Sequence, residues 1–152
     1  MYLDKKLFNK KVVLINRDVQ DQIEALKTIA AELQSKGVVN SRFLPAIIER
    51  ERKYPTGLAL SSGIGVAIPH TDPDKVQEEQ IGFISLKEPV VFKQMGDLDT
   101  NVDVTAIFVL CLKSPDDQLQ MLQNLMTMFA DAKVMKQIYG AKTVDEFLDI
   151  FD

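Results

Sequence analysis

One cysteine, one histidine and no tryptophan occur among the 152 residues. The lone Cys111 excludes an internal disulfide, and with the lone His70 it supplies too few ligands for a structural zinc site, so no metal is expected. Positive charge is also in deficit: Lys and Arg total 18 against 22 Asp and Glu, a formal charge of −4. Affinity for a phosphate backbone needs clustered cations that release counterions, and no basic face is evident, so no nucleic-acid partner is expected. Long apolar runs are missing as well. The longest, Val104 to Leu112, is interrupted by Thr105 and is about half the length a membrane-spanning helix needs. MYLDKKLFNKK at the start carries charge ahead of any apolar run that could act as a signal core, so a soluble, cytoplasmic protein is expected. Repeats, low-complexity segments and linkers are absent too. With 46% hydrophobic and 26% charged residues, residues 1–152 suit one globular domain.

The chain alternates strand and helix signals at first and turns helical at the end. KVVLI (11–15) predicts a first strand, after which Asp18 caps a helix over Val19–Lys36 that buries Val19, Ile23, Leu26, Ala30 and Leu33 and stops at Lys36-Gly37. A second helix follows Ser41, takes Pro45 in its first turn, buries Phe43, Leu44, Ile47 and Ile48, and ends before Pro55, with ERERK (49–53) in its last turns. GVAIP (65–69), IGFISL (81–86) and VTAIFVLCL (104–112) read as strands, with a short one at VVF (90–92) and breaks at KEP and GDLDTN. Ser114-Pro115-Asp116-Asp117 starts a helix burying Leu119, Leu122, Leu125, Met126 and Phe129. Asp131 caps a short helix ending at Gly140, and Thr143 with Glu146 forms a capping box for the last. The class is α/β, with helices packed on a mixed sheet.

Familiar chemical constellations fail for want of parts. Ser61-Ser62-Gly63 lacks the spacing of a nucleophile elbow, and GIG (63–65) lacks the third glycine of a dinucleotide fingerprint and precedes a strand rather than a helix. These glycines read as relief of crowding near a turn. Cys111, inside an apolar strand, is expected to be an inert core thiol. Met121, Met126 and Met128 read as helix packing, and Asp116 and Asp117 serve the helix dipole. His70 is different. Pro69 fixes its own φ and holds Ile68 extended, so the chain delivers His70 stiffly at a strand end, where open α/β sheets gather ligands. A hydrogen-bonded structural imidazole fits that place, and so does a nucleophile with one nitrogen free and the other donating to a backbone carbonyl. The residues alone leave both open.

RERKYPTG (50–57) followed by GVAIPH (65–70) resembles the enzyme IIA proteins of the bacterial phosphoenolpyruvate-dependent sugar phosphotransferase system, in the fructose–mannitol–galactitol superfamily. The likeness spans nearly the whole chain, through RE-x-x-x-x-TG, the A-I-P-H strand end and SPDDQLQMLQNL; KGVV (36–39) and YPTG look most like the galactitol branch. The resemblance implies a three-layer α/β/α fold with a mixed β-sheet flanked by helices, and no cofactor. It implies that His70 accepts a phosphoryl group from the phosphocarrier HPr on its tele nitrogen and passes it to a cysteine of a cognate IIB, which serves the membrane component IIC. The count back from Thr56-Gly57 puts phosphate stabilisation on Arg50, not Arg52. Guanidinium suits that work because it pairs phosphate oxygens through two charge-assisted hydrogen bonds. Gln118 stands where many relatives have a second histidine; its amide still donates a hydrogen bond. Thr56 and Thr71 are expected to support the phosphoryl group. A regulatory IIA-like module, acting through its phosphorylation state on a transporter or transcription factor, shares this site; a structural domain with an idle histidine is the remaining alternative. Leu58 and Leu60, in a segment LALSSGI (58–64) longer than in most fructose-type relatives, fit either an exposed docking patch or the core.

Overall fold

The computed structural model describes residues 2–152, apart from the side chain of Pro115. Its elements are β1 (Val13–Arg17), α1 (Gln22–Ser35), α2 (Phe43–Lys53), β2 (Gly57–Ala59), β3 (Gly65–Ala67), β4 (Gln80–Gln94), β5 (Asp97–Cys111), α3 (Pro115–Phe129), α4 (Ala132–Gly140) and α5 (Val144–Asp149). β4 and β5 form a long antiparallel hairpin that turns at Met95-Gly96. β1 runs parallel along the other edge of β4, and β3 runs parallel along the other edge of β5. β2 pairs antiparallel with β3, and its Gly57 meets Gln94 at the end of β4, completing a mixed five-stranded sheet.

Helices cover both faces. On one side Leu26, Ile29 and Leu33 of α1 and Phe43 and Ile47 of α2 pack on Ile84, Leu86, Ile107 and Val109. On the other, Leu125 and Phe129 of α3, Ile138 of α4 and Phe147 of α5 pack on Ile81, Phe83 and Phe108. Phe83 stacks on Phe147 at 4.3 Å between ring centroids and meets Phe108 edge-on at 5.0 Å, so aromatic contacts tie this helical layer to the sheet. Alternation along β5 divides the two cores, Ala106, Phe108 and Leu110 facing one and Ile107, Val109 and Cys111 the other. This is the α/β/α arrangement the sequence resemblance implies.

Several local expectations are corrected. α1 is capped by Asp21, whose carboxylate accepts from the Glu24 N–H at 2.8 Å, rather than by Asp18; the donor lies three positions after the cap, and Val19 is buried ahead of the helix. The buried stripe is accordingly Ala25, Leu26, Ile29, Ala30 and Leu33, with Ile23 exposed. The expected stop holds: Gly37 takes φ 75°, and the Val38 and Gly37 N–H groups return to the Leu33 and Gln34 carbonyls. KEP does not end a strand. β4 runs through it, and residues 86–89 are absorbed as a bulge between the Ser85–Ala106 and Val90–Val104 pairs, where Pro89 needs no ladder donor. Asp97 to Asn101 of GDLDTN likewise lie within β5, since cross-strand pairing outweighs their weak strand propensity. On α3 the buried stripe is Met121, Leu125, Met128 and Phe129; Leu119 and Met126 are exposed. Ser114 precedes α3 without a side-chain capping bond. Asp131 caps α4 by accepting from the Val134 N–H, and Thr143 caps α5 by accepting from the Glu146 N–H, but Glu146 returns to the Lys142 N–H rather than to Thr143.

Candidate functional site

The register of β3 against β5, Val66 on Ala106 and Ala67 on Ile107, continues past the strand end to a parallel bridge of His70 with Leu110. The Leu110 N–H donates to the Pro69 carbonyl at 3.0 Å. Pro69 therefore supplies the acceptor this edge needs, and its missing N–H costs nothing. Val66 and Ile68 face the core beneath α3 to α5, and the same alternation gives His70 that face. Two glycines let the backbones come this close: a Cβ on Gly65 would lie 1.8 Å from the Asp103 carbonyl oxygen, and one on Gly57 would lie 2.6 Å from that of Lys93.

His70 is half-buried, and its Nδ1 lies 2.9 Å from the Ile68 carbonyl oxygen. A carbonyl only accepts, so in the neutral ring Nδ1 carries the hydrogen and Nε2 keeps its lone pair. Burial pushes the imidazole below its ordinary pKa; the Ile68 carbonyl opposes that shift, and the Arg50 guanidinium adds to it. Burial thus favours the neutral ring, in which Nε2 keeps its lone pair.

A buried polar chain leads from Glu51, in the last turns of α2, to the peptide that holds this imidazole. Glu51 is 4% exposed, and its carboxylate accepts from the Thr56 hydroxyl and from the Thr56 N–H, each at 2.6 Å. The Thr56 hydroxyl in turn accepts from the Ile68 N–H at 3.1 Å. Ile68 thus donates its N–H to Thr56 and accepts from His70 at its carbonyl. Burial pushes the Glu51 carboxyl up to about 7, against the two Thr56 hydrogen bonds and the Arg50 charge that pull it down. Arg50, one residue earlier, stacks its guanidinium over the exposed Tyr54 ring at 5.5 Å and is half-buried. Among the described residues no carboxylate pairs with it, whereas Arg52 is engaged by Glu49 at 2.5 Å.

The expected site residues fall into two groups. Arg50 lies near enough for its charge to bear on His70 and Glu51, and Thr56 is bonded to the strand that carries His70. Thr56 is 4% exposed and its hydroxyl is already used twice. Thr71 is buried beside His70, and Gln118 is half-buried in the first turn of α3; neither side chain bonds to His70 among the described residues. Glu51 was missed by sequence reasoning; the signal available was its place in RE-x-x-x-x-TG, five residues before the threonine it binds. Leu58 and Leu60 are partly buried against the α3 to α5 core, which favours the packing alternative over a free patch. Cys111 is fully buried, with its thiol pushed far up by burial, as expected of an inert core thiol.

A mixed α/β/α sheet of this topology defines the class: the fold is that of the IIA proteins of the bacterial sugar phosphotransferase system. The mannitol IIA of Escherichia coli superposes with a TM-score of 0.73 at 20% identity over 93% of this chain and 96% of that one. In its complex with phosphorylated mannitol IIB, from the same organism, the TM-score is 0.72 at 20% identity over 93% and 94%. More particularly, the chain belongs to the family described as phosphoenolpyruvate-dependent sugar phosphotransferase system, EIIA 2, whose model matches residues 6–152. Its relatives include the galactitol-specific EIIA component of E. coli strain K12, 33% identical over 69% of each chain. The mannitol-specific IIA component of Staphylococcus aureus is 25% identical over 97% of this chain and 96% of its own. The chain is therefore a phosphotransferase-system component of the IIA kind. Among the described residues no helix is long and apolar enough to cross a membrane.

Proposed function

We propose that the chain, acting as one IIA domain in the cytoplasm, relays a phosphoryl group through His70 Nε2. The observation that carries this reading is the Nδ1–H of His70 donated to the Ile68 carbonyl at 2.9 Å, which leaves Nε2 unprotonated near an Arg50 that no carboxylate pairs among the described residues. In the first step the Nε2 lone pair attacks phosphorus of phospho-HPr as the bond from phosphorus to the donor's nitrogen breaks. The ring keeps its Nδ1 proton, and the Ile68 carbonyl stabilises the positive charge that develops. In the second step a cysteine thiolate of a cognate IIB attacks phosphorus, the bond to Nε2 breaks and the ring returns to neutral.

Such transfers pass through a loose transition state, so alignment and charge neutralisation supply most of the catalysis. Arg50 provides two charge-assisted donors for the phosphoryl oxygens. Gln118 and Thr71 support the group from the α3 side and from the loop after His70, and Thr56 supports it through the backbone. The E. coli mannitol complex with phosphorylated IIB gives the precedent for the acceptor, and the galactitol-specific relative points to galactitol or a related polyol or sugar, carried across the membrane by IIC.

Incubation with phosphoenolpyruvate, enzyme I and HPr tests this. The expected result is an acid-labile phosphate on the wild type and none on His70→Ala; label retained by the variant would sink the reading. Adding candidate IIB proteins should then discharge the label, whereas a purely regulatory module would keep it.

A further inference from the structure

We propose that Glu51 is a positioning residue for the transfer reaction, and that it fixes the tautomer and angle of His70 through Thr56 and the Ile68 peptide. This rests on His70 as the phosphoryl acceptor. The path is short and closed at every joint. Both Glu51 carboxylate oxygens are satisfied by Thr56, the Thr56 hydroxyl receives the Ile68 N–H, and the Ile68 carbonyl receives the His70 Nδ1–H, at 2.6, 2.6, 3.1 and 2.9 Å in turn. Glu51, Thr56 and Ile68 are 4%, 4% and 1% exposed, so water is kept from the joints between them, and only the last, to half-buried His70, lies nearer the surface.

Hydrogen counting shows why an acid stands at position 51. The Thr56 N–H and O–H both point at the side chain, which must therefore accept twice, and only an ionised carboxylate, the form Glu51 takes above about pH 7, offers two oxygens with no hydrogen of its own. Once its hydrogen is spent on Glu51, the Thr56 hydroxyl is left as a pure acceptor towards Ile68. A glutamine of the same shape accepts at one atom and donates at the other. Its amide would face the Thr56 hydroxyl, turn it round and leave a hydrogen without a partner. The disturbance falls on the Ile68 peptide, whose opposite end sets the imidazole. Glu51 bonds to Thr56 and not to His70, and Arg50 beside it is the residue proposed to meet the phosphoryl group, so the two adjacent residues of α2 divide the work: one acts on the incoming group and the other on the nucleophile.

The test reads the imidazole directly. In nitrogen-15 spectra of the full chain at pH 8, where the Glu51 carboxyl is ionised, wild type should show a protonated Nδ1 and a bare Nε2. Glu51→Gln and Thr56→Val should raise the population of the other tautomer and slow phosphorylation by phospho-HPr roughly tenfold, the size typical of losing an outer partner that orients an imidazole. Thr56→Ser, which keeps the hydroxyl, should restore both. KM for phospho-HPr should not move, because the docking surface is untouched. Should the first two variants fail to fold, Glu51→Asp keeps the charge and withdraws the carboxylate by one methylene, and it must shift the tautomer in the same direction. Folded variants with the wild-type tautomer, or with a shifted tautomer and an unchanged rate, would overturn the proposal. If wild type takes no phosphate from phospho-HPr, the relay itself fails, while the tautomer spectra still decide whether Glu51 sets the ring.

Discussion

Glu51 gives the fold an unusual pH dependence. In the unfolded chain its carboxyl titrates near 4.5, and in the folded one near 7, because burial disfavours the charge by more than the Thr56 bonds and Arg50 return. Between those values the folded state binds more protons than the unfolded state, so stability falls as pH rises across the interval. From 4.5 to about 7 at ~1.4 kcal/mol per pH unit, the loss approaches about 3 kcal/mol. For a chain of this size that corresponds to roughly 6–12 °C in Tm. Acids held low by their partners, such as Asp74 and Asp97, slope the other way, so the comparison must be with Glu51→Gln, which keeps them all. Urea denaturation of both proteins from pH 4 to pH 8 supplies the difference curve. It should decline by about 3 kcal/mol, wild type minus variant, and level off above pH 7. A flat curve would refute the burial cost; a rising one would show that Thr56 and Arg50 outweigh desolvation and hold the folded pKa below that of the unfolded chain.

The remaining predictions concern separate parts of the molecule. Arg50→Lys should fold normally and accept phosphate about 10- to 100-fold more slowly, the equivalent of one lost charge-assisted hydrogen bond at ~1.5–3 kcal/mol; a full-rate variant would remove Arg50 from the site. Gly65→Ala should cost about 3 kcal/mol or more in chemical denaturation, because the new Cβ meets a backbone oxygen at 1.8 Å and only the strands can yield. Cys111 should resist a thiol-specific disulfide reagent in the native state and react at once in denaturant; native labelling would contradict its burial.

What could be read from the sequence follows from how local each signal is. The His70 strand end was legible because Pro69 and a β-branched run act on their immediate neighbours, whereas Arg50 was singled out only through the family resemblance, by its count back from Thr56-Gly57. The helix starts at Asp131 and Thr143 were, like the strand end, legible from immediate neighbours. Long-range pairing was not. KEP and GDLDTN carry breaker residues, yet β4 and β5 continue through them because each strand has the other as its partner. β2 went unseen because three residues are too few for alternation to register. Glu51 was hidden by its surroundings: in ERERK it looks like one more charge on a solvated helical face. Only the return of Thr56 beneath α2 buries it, and only the meeting of Thr56 with Ile68 links it to the imidazole.

Phosphorus–nitrogen correlation on the uniformly nitrogen-15-labelled chain, after phosphorylation by phospho-HPr, tests the central claim most directly. The account predicts a single phosphoryl group, bonded to Nε2 of His70 and lost on addition of the cognate IIB. Phosphate on Nδ1, on any other residue, or on none would contradict it.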